Sequence, residues 1–214
     1  MLGRTMGLNS LLLGLFAVLT TAIIAGTYLG TRERIVEAQR EAEQKALREI
    51  VPDERHDNEL LDDTLPVGPE TELLRLQGQK QIYIARNQGD VTAVILPVTA
   101  PDGYSGSIEL IVGVNRDGTV AGVRALQHRE TPGLGDKVDL KKSDWVLGFN
   151  GHSLTAPVAD EWAVKKDGGI FDSFTGATIT PRAVTAAVKR GLEYFDANRE
   201  ALLAPRQGGE ESSG

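Results

Sequence analysis

Cysteine is absent from the 214 residues. Its absence removes disulfides, thiolate metal sites, cysteine nucleophiles and any lipid-bearing cysteine near the chain start. It leaves compartment open, since a cysteine-free chain suits either side of a membrane. Histidine is scarce, three in all. With no H-E-x-x-H and no paired-histidine spacing, a metal centre has no ligand set to build on. Excess positive charge is missing too, the net charge being −7, which argues against nucleic acid as a partner. No internal repeat is present. The length suits one domain with appendages, and the polar part is long enough to bury a core.

Charge is also absent between Thr5 and Thr31, where "LLLGLFAVLTTAIIAGTYLG" is mostly apolar. As a helix such a run reaches about 40 Å, more than the ~30 Å hydrocarbon core of a bilayer. Backbone amides in lipid must be satisfied internally, so a transmembrane helix is predicted, with Tyr28 near one interface. A cleaved signal peptide has a shorter apolar region and ends in a small-x-small site. This run is longer, and no convincing A-x-A follows it. Arg4 precedes the helix, whereas Arg32, Arg34, Arg40, Lys45 and Arg48 follow. The basic-residue count leans toward a cytoplasmic main domain, but long domains translocate largely regardless of flanking charge, so the side stays open.

After the anchor (1–31), residues 32–70 are expected to form a stalk helix and linker. Ile35, Ala38, Ala42, Ala46 and Ile50 recur near a helical period, and Glu41–Lys45 is a favourable i,i+4 pair. Either a solvated stalk or a packing stripe fits. "VPDERHDNELLDDTLPVGPE" reads as a linker or surface loop with His56 solvated among acids. Four β-branched runs then follow, "QIYIAR", "VTAVILPV", "SIELIVGVN" and "TVAGVRALQ", separated by turn residues that include Asp117-Gly118. They predict an antiparallel meander over about 79–128. Trp145 and Trp162 are expected as core anchors. The final helix is predicted from "TPRAVTAAVKRGLEYFDANRE", with Val184, Ala187, Val188, Leu192 and Phe195 on its apolar face and Thr180 and Pro181 as N-cap and first residue. The main domain is placed at 71–200 and a disordered tail at 201–214.

Two segments carry candidate chemistry. In "LQHRETPGLGDKV", Pro132, Gly133 and Gly135 make a constrained loop, useful for a ligand and equally for a tight connection. In "DSFTGATITPRA", a turn at Gly176 leads into the helix, and two readings fit. In one, Thr175 and Thr178 hydrogen-bond locally and Thr180 caps the helix. In the other, the helix N-terminus, with its unpaired N–H groups and partial positive charge, faces a phosphate esterified to a neighbouring hydroxyl. No arginine fork or P-loop lysine follows, so ordinary nucleotide binding is unsupported.

Asp172, Thr175, Gly176, Ala177 and Thr178 match D-x-x-[S/T]-G-A-T. This pattern resembles the covalent flavinylation site of FMN-binding domains in membrane redox complexes. The segment from His128 to Gly135 is similar to the H-x-E-T-P-G-L-G segment of the same family. With the single anchor and the short chain, the two together resemble the G subunit of the Rnf (Rsx) ion-translocating electron-transport complex. The C subunit of the sodium-pumping NADH:quinone reductase, usually longer, and other membrane FMN-binding regulators are the alternatives.

The resemblance implies an α+β fold: one N-terminal transmembrane helix, then an FMN-binding domain with an antiparallel sheet and packed helices. It implies covalent FMN on Thr178, transferred from FAD by a flavin transferase, with Asp172, Gly176 and Ala177 in recognition and positioning and Thr175 as a further cofactor-binding candidate of the motif. Glu130, Thr131, Leu134 and Gly135 become candidate flavin contacts. The implied partners are the other subunits of the redox complex, the flavin transferase and membrane lipid. The implied location is the bacterial inner membrane with the FMN domain in the periplasm. No residue looks like a substrate-processing acid or base, so no turnover is expected from the subunit alone. A reading of a different class, an anchored non-redox module binding a partner through residues 31–50 and the meander, predicts a colourless protein.

Overall fold

A computed structural model describes residues 2–68 and 71–205. The chain divides into two compact units between Glu43 and Gln44. Helix α1 (Leu2–Ile50) supplies the first unit and ends inside the second. It is the one helix among the described residues that is long and apolar enough to cross a membrane. Leu11, Phe16, Val18, Ile24 and Leu29 are all exposed on it, so its apolar surface runs around the helix instead of forming one stripe. The hydroxyls of Thr20, Thr27 and Thr31 donate to carbonyls one turn back, at 2.9, 2.8 and 2.8 Å from Phe16, Ile23 and Thr27. Each thus satisfies its polar group within the helix, as lipid requires.

The second unit is built on a five-stranded antiparallel sheet in sequence order: β1 (Thr64–Pro66), β2 (Gln81–Asn87), β3 (Asp90–Gly103), β4 (Gly106–Asn115) and β5 (Val120–Gln127). Strands β2 to β5 are the expected meander. Their runs are nearly continuous in apolar residues because both faces are covered, and period-2 alternation sorts the side chains. Ile82, Ile84, Val94, Leu96, Val98, Leu110 and Val112 face one core. Tyr83, Ala85, Ala93, Ile95 and Ile111 face the other. The Asn115–Thr119 turn closes β4 onto β5, with Gly118 at φ 95° and its amide donating to Asn115 O at 2.8 Å. There the Thr119 hydroxyl and amide hold the Asp117 carboxyl below its usual range.

Helix α3 (Ile179–Ala197) covers the first face. Val184, Ala187, Val188, Leu192 and Phe195, the expected stripe, are all buried. Each large one contributes about 1.5–3 kcal/mol by leaving water. Gly191 lets the helix approach the sheet, since a Cβ there would lie 3.2 Å from Val98 Cγ2. A short α2 (Thr71–Leu74) and a terminal α4 (Arg199–Leu202) pack at the margins, burying Leu74 and Leu202. Ala201 to Pro205 of the expected tail are thus described, while residues 206–214 lie outside the described residues.

The end of α1 covers the second face: Leu47, Ile50 and Val51 are buried there. Gly113 and Gly122 pair across β4 and β5 and leave a hollow. Ile50 fills it; a Cβ on Gly113 would overlap Ile50 Cγ2, and one on Gly122 would come within 3.3 Å of Ile50 Cγ1. Arg124 Nε donates to Glu49 Oε2 at 2.9 Å beside this contact.

Of the two readings for the stretch after Val51, linker or surface loop, the structure shows a surface loop fastened to the sheet. Its polar side chains bond the open edge of β2: Asn58 Oδ1 accepts from Arg86 N (2.8 Å), Asp63 Oδ2 from Arg86 Nε (3.0 Å) and Asp57 Oδ2 from Gln88 N (2.7 Å). Leu60 is buried and β1 adds to the sheet. The expectation for His56 is corrected. It is not solvated: its side chain is 7% exposed, with Nδ1 3.1 Å from Pro52 O.

Candidate functional site

Three segments converge beyond one end of the sheet. The first is the loop after β5. Pro132 and Gly133 (φ 78°) turn the chain back on the carbonyl of Thr131, which accepts from the amides of Leu134 (3.1 Å), Gly135 (3.1 Å) and Asp136 (3.4 Å). The second is the tip of the β3–β4 hairpin, Gly103 to Gly106. The third is the start of α3, entered through a turn in which Ala177 N donates to Phe174 O at 3.1 Å and Gly176 takes φ 82°. A residue with a Cβ is strained at such a φ, which accounts for the glycine.

Glu130 ties the three together. It is 5% exposed. Oε1 accepts from Ser105 N at 2.9 Å, on the hairpin tip, and Oε2 accepts from the hydroxyl of Thr180 in the first turn of α3. Both oxygens of this buried carboxylate are therefore paired, as burial demands. Gly135 makes room for it, since a Cβ there would lie 2.5 Å from Glu130 Oε2 and 2.8 Å from Thr180 Oγ1.

Around this clasp lies a cleft of about 250 Å³ lined by Tyr104, Glu130, Thr131, Leu134, Gly135, Gly176, Ala177, Thr178, Ile179 and Thr180. Seven of the nine residues singled out from sequence share its wall. Asp172 and Thr175 do not. Thr175 is exposed on the turn; the Asp172 carboxylate meets Lys165 Nζ at 2.7 Å. The Asp172 carbonyl accepts from Trp145 Nε1 at 2.8 Å, and Trp145 packs edge-on to Phe174 and Phe149, holding the approach to the turn. Trp162 stacks on Phe149, so both tryptophans serve as anchors.

Thr180 is not the helix cap. The first helical bond runs from Arg182 N to Thr178 O (3.2 Å), which puts Thr178 at the N-cap and Thr180 inside the first turn, fully buried. Pro181 also sits deeper in the first turn than expected; it still lies where the helix has no acceptor for an N–H. Thr178 occupies the cap without capping: its side chain makes no cap hydrogen bond. Arg182 forks onto Asp167 at 2.5 Å through Nε and Nη2, and these bonds hold the Asp167 carboxyl below its usual range.

Tyr104, Ile179 and Thr180 are cleft residues that sequence reasoning missed. For Tyr104 a signal was present, an aromatic ring on the tip of a glycine-flanked hairpin, D-G-Y-S-G. The donor set fits a ligand with a phosphate and a flat apolar body. The open amides at the start of α3 and the uncommitted Thr178 hydroxyl suit the anion. The side chains of Tyr104, Leu134 and Ile179, 67%, 41% and 46% exposed, suit the ring.

Comparison with known proteins agrees with this geometry. Residues 103–193 match the family model described as FMN-binding domain, and residues 1–50 match the RnfG N-terminal region. The first interval contains every residue lining the cleft; the second ends with α1. The chain is 53% identical over 204 residues to the G subunit of the ion-translocating oxidoreductase complex of Pseudomonas aeruginosa strain UCBPP-PA14, covering 95% of each chain. The corresponding G subunit from Pseudoalteromonas atlantica is 50% identical, covering 92% of this chain and 91% of its own. That of Vibrio cholerae (strain ATCC 39541) is 46% identical, covering 91% and 92%. Fold, anchor and cleft thus define a membrane-anchored protein with an FMN-binding domain. Within that class the chain belongs to the family of G subunits of ion-translocating oxidoreductase complexes.

Proposed function

We propose that this chain relays electrons through FMN held covalently on Thr178, as a subunit of an ion-translocating ferredoxin:NAD oxidoreductase complex in the bacterial inner membrane. The observation that carries the attachment is Thr178 itself: an N-cap threonine on the wall of the cleft whose hydroxyl makes no cap bond. Maturation by a flavin transferase would use FAD. In that transfer Thr178 Oγ would bond to the flavin-side phosphorus as the bond to AMP breaks, with AMP leaving and the hydroxyl proton released. The start of α3, with its helix dipole and open amides, would hold the resulting phosphodiester anion.

FMN supplies the redox chemistry when bound, while the chain positions it. Thr178 fixes the phosphate end. Leu134, Ile179 and Tyr104 provide apolar surface, and Glu130 holds the three cleft segments in register. Gly176 and Ala177 bring the backbone close to the tether, while Asp172, outside the cleft, shapes the face that the transferase meets. The domain lies in the periplasm, and α1 keeps it beside its partner subunits and lipid. The near-complete length match to the relatives favours this reading over a C-type subunit or an FMN-binding regulator.

The test is direct. The full chain is co-expressed with a flavin transferase, denatured and washed, and its intact mass and in-gel flavin fluorescence are measured. One FMN phosphoryl adduct per chain is expected; an unmodified mass refutes the attachment.

A further inference from the structure

We infer that Tyr104 stacks on the flavin ring and that Glu130 is the positioning residue that fixes Tyr104 over the cleft, an inference that rests on the FMN reading above. Tyr104 is the largest exposed side chain on the cleft wall, at 67%. Among the described residues its ring meets no other aromatic and its hydroxyl no hydrogen-bond partner. Trp145 and Trp162 differ on both counts, each committing its ring and its N–H inward. A flat ring exposed beside Leu134 and Ile179 is suited to offset stacking on another flat ring.

The hairpin tip is not left to move freely. Ser105, the next residue, donates its amide to Glu130 Oε1, and the other Glu130 oxygen holds Thr180, two residues from the tether. One carboxylate thereby sets the distance between the stacking residue and the attachment residue. Glycine flanks it on both sides: a Cβ at Gly103 would come within 3.0 Å of Oε1, and one at Gly135 within 2.5 Å of Oε2.

A stacked phenol donates an electron to excited flavin and quenches its emission, so fluorescence reads the contact independently of turnover. The full-length protein in detergent is loaded with flavin, the load per chain is fixed by flavin absorbance with intact mass reporting the covalent share, and native flavin fluorescence yield and lifetime are measured. Tyr104→Leu is expected to raise the yield several-fold at equal load, and Tyr104→Trp to restore quenching. Glu130→Gln, which can keep only one of the two acceptor roles, is expected to give an intermediate yield with a mixed lifetime. The double variant should rise no further than Tyr104→Leu alone. An unchanged yield in Tyr104→Leu overturns the stacking, and an unchanged yield in Glu130→Gln overturns the clasp, with Thr178 attachment standing in both cases. Flavin bound without an adduct would sink the tether alone, since native emission would still report Tyr104. Protein free of flavin in every form would sink both.

Discussion

Thr178→Val keeps the branched Cβ and removes only the oxygen. The hydroxyl makes no cap bond, so the helix loses little, while the adduct should fall from one per chain to none. Thr175→Val, just before Gly176 and off the cleft wall, should leave the adduct mass present. The reverse pattern would move the tether to Thr175. Thr180→Val is a different experiment. It removes the donor to a buried carboxylate oxygen, so full adduct is expected with stability lowered by about 1–3 kcal/mol in denaturant titration, the cost of leaving a buried acceptor unpaired. A chain as stable as the parent would show that Glu130 finds another partner. Sequence pattern pointed to Thr180 as the cap because proline favours the first helical position. Here the helix starts earlier, at Ile179, and the difference turned on a contact 50 residues away in sequence that local rules do not contain.

At the scale of elements, β2 to β5 and α3 were legible because each is a long run with a clear period and turn chemistry at its ends. β1 was not, since three residues ending in proline, within an acidic stretch, show no period. Most of the segment between Asp136 and Phe174 was also illegible. It folds in short 3₁₀ turns, part of it held by distant backbone bonds, Val120 N to His152 O and Gly151 N to Val120 O, both at 2.8 Å. The contact between α1 and the sheet had a half-visible signal, two glycines inside strands, which often marks close approach. Gly113→Ala should push Ile50 from its hollow and destabilise the protein by about 1–3 kcal/mol through overpacking. Ile50→Ala removes the Cγ2 that the new methyl would strike. The pair should therefore cost less than the sum of the singles in a double-mutant cycle measured by denaturant titration. Additive costs would mean that the hollow and Ile50 act separately.

At the scale of the whole molecule, side of the membrane is the property that charge and function pull apart. Five basic residues follow the apolar run within the length of α1, against Arg4 before it, and a count alone would place the main domain in the cytoplasm. The rule counts short flanking loops, whereas the portion from Gln44 onward is a compact unit, and long domains translocate largely regardless of flanking charge. The absence of cysteine makes this measurable without background. Asp160 is exposed, in a short turn that is not part of the cleft wall, so Asp160→Cys introduces a single accessible thiol. In intact cells a small membrane-impermeant thiol reagent that passes the outer membrane should label the Asp160→Cys variant as fully as in lysed cells. A periplasmic domain requires that result, because no other thiol exists in the chain to mimic it. Labelling that appears only after lysis would put the flavin domain in the cytoplasm. The cleft and the proposed tether would survive that outcome, but the flavin would then face partners on the cytoplasmic side.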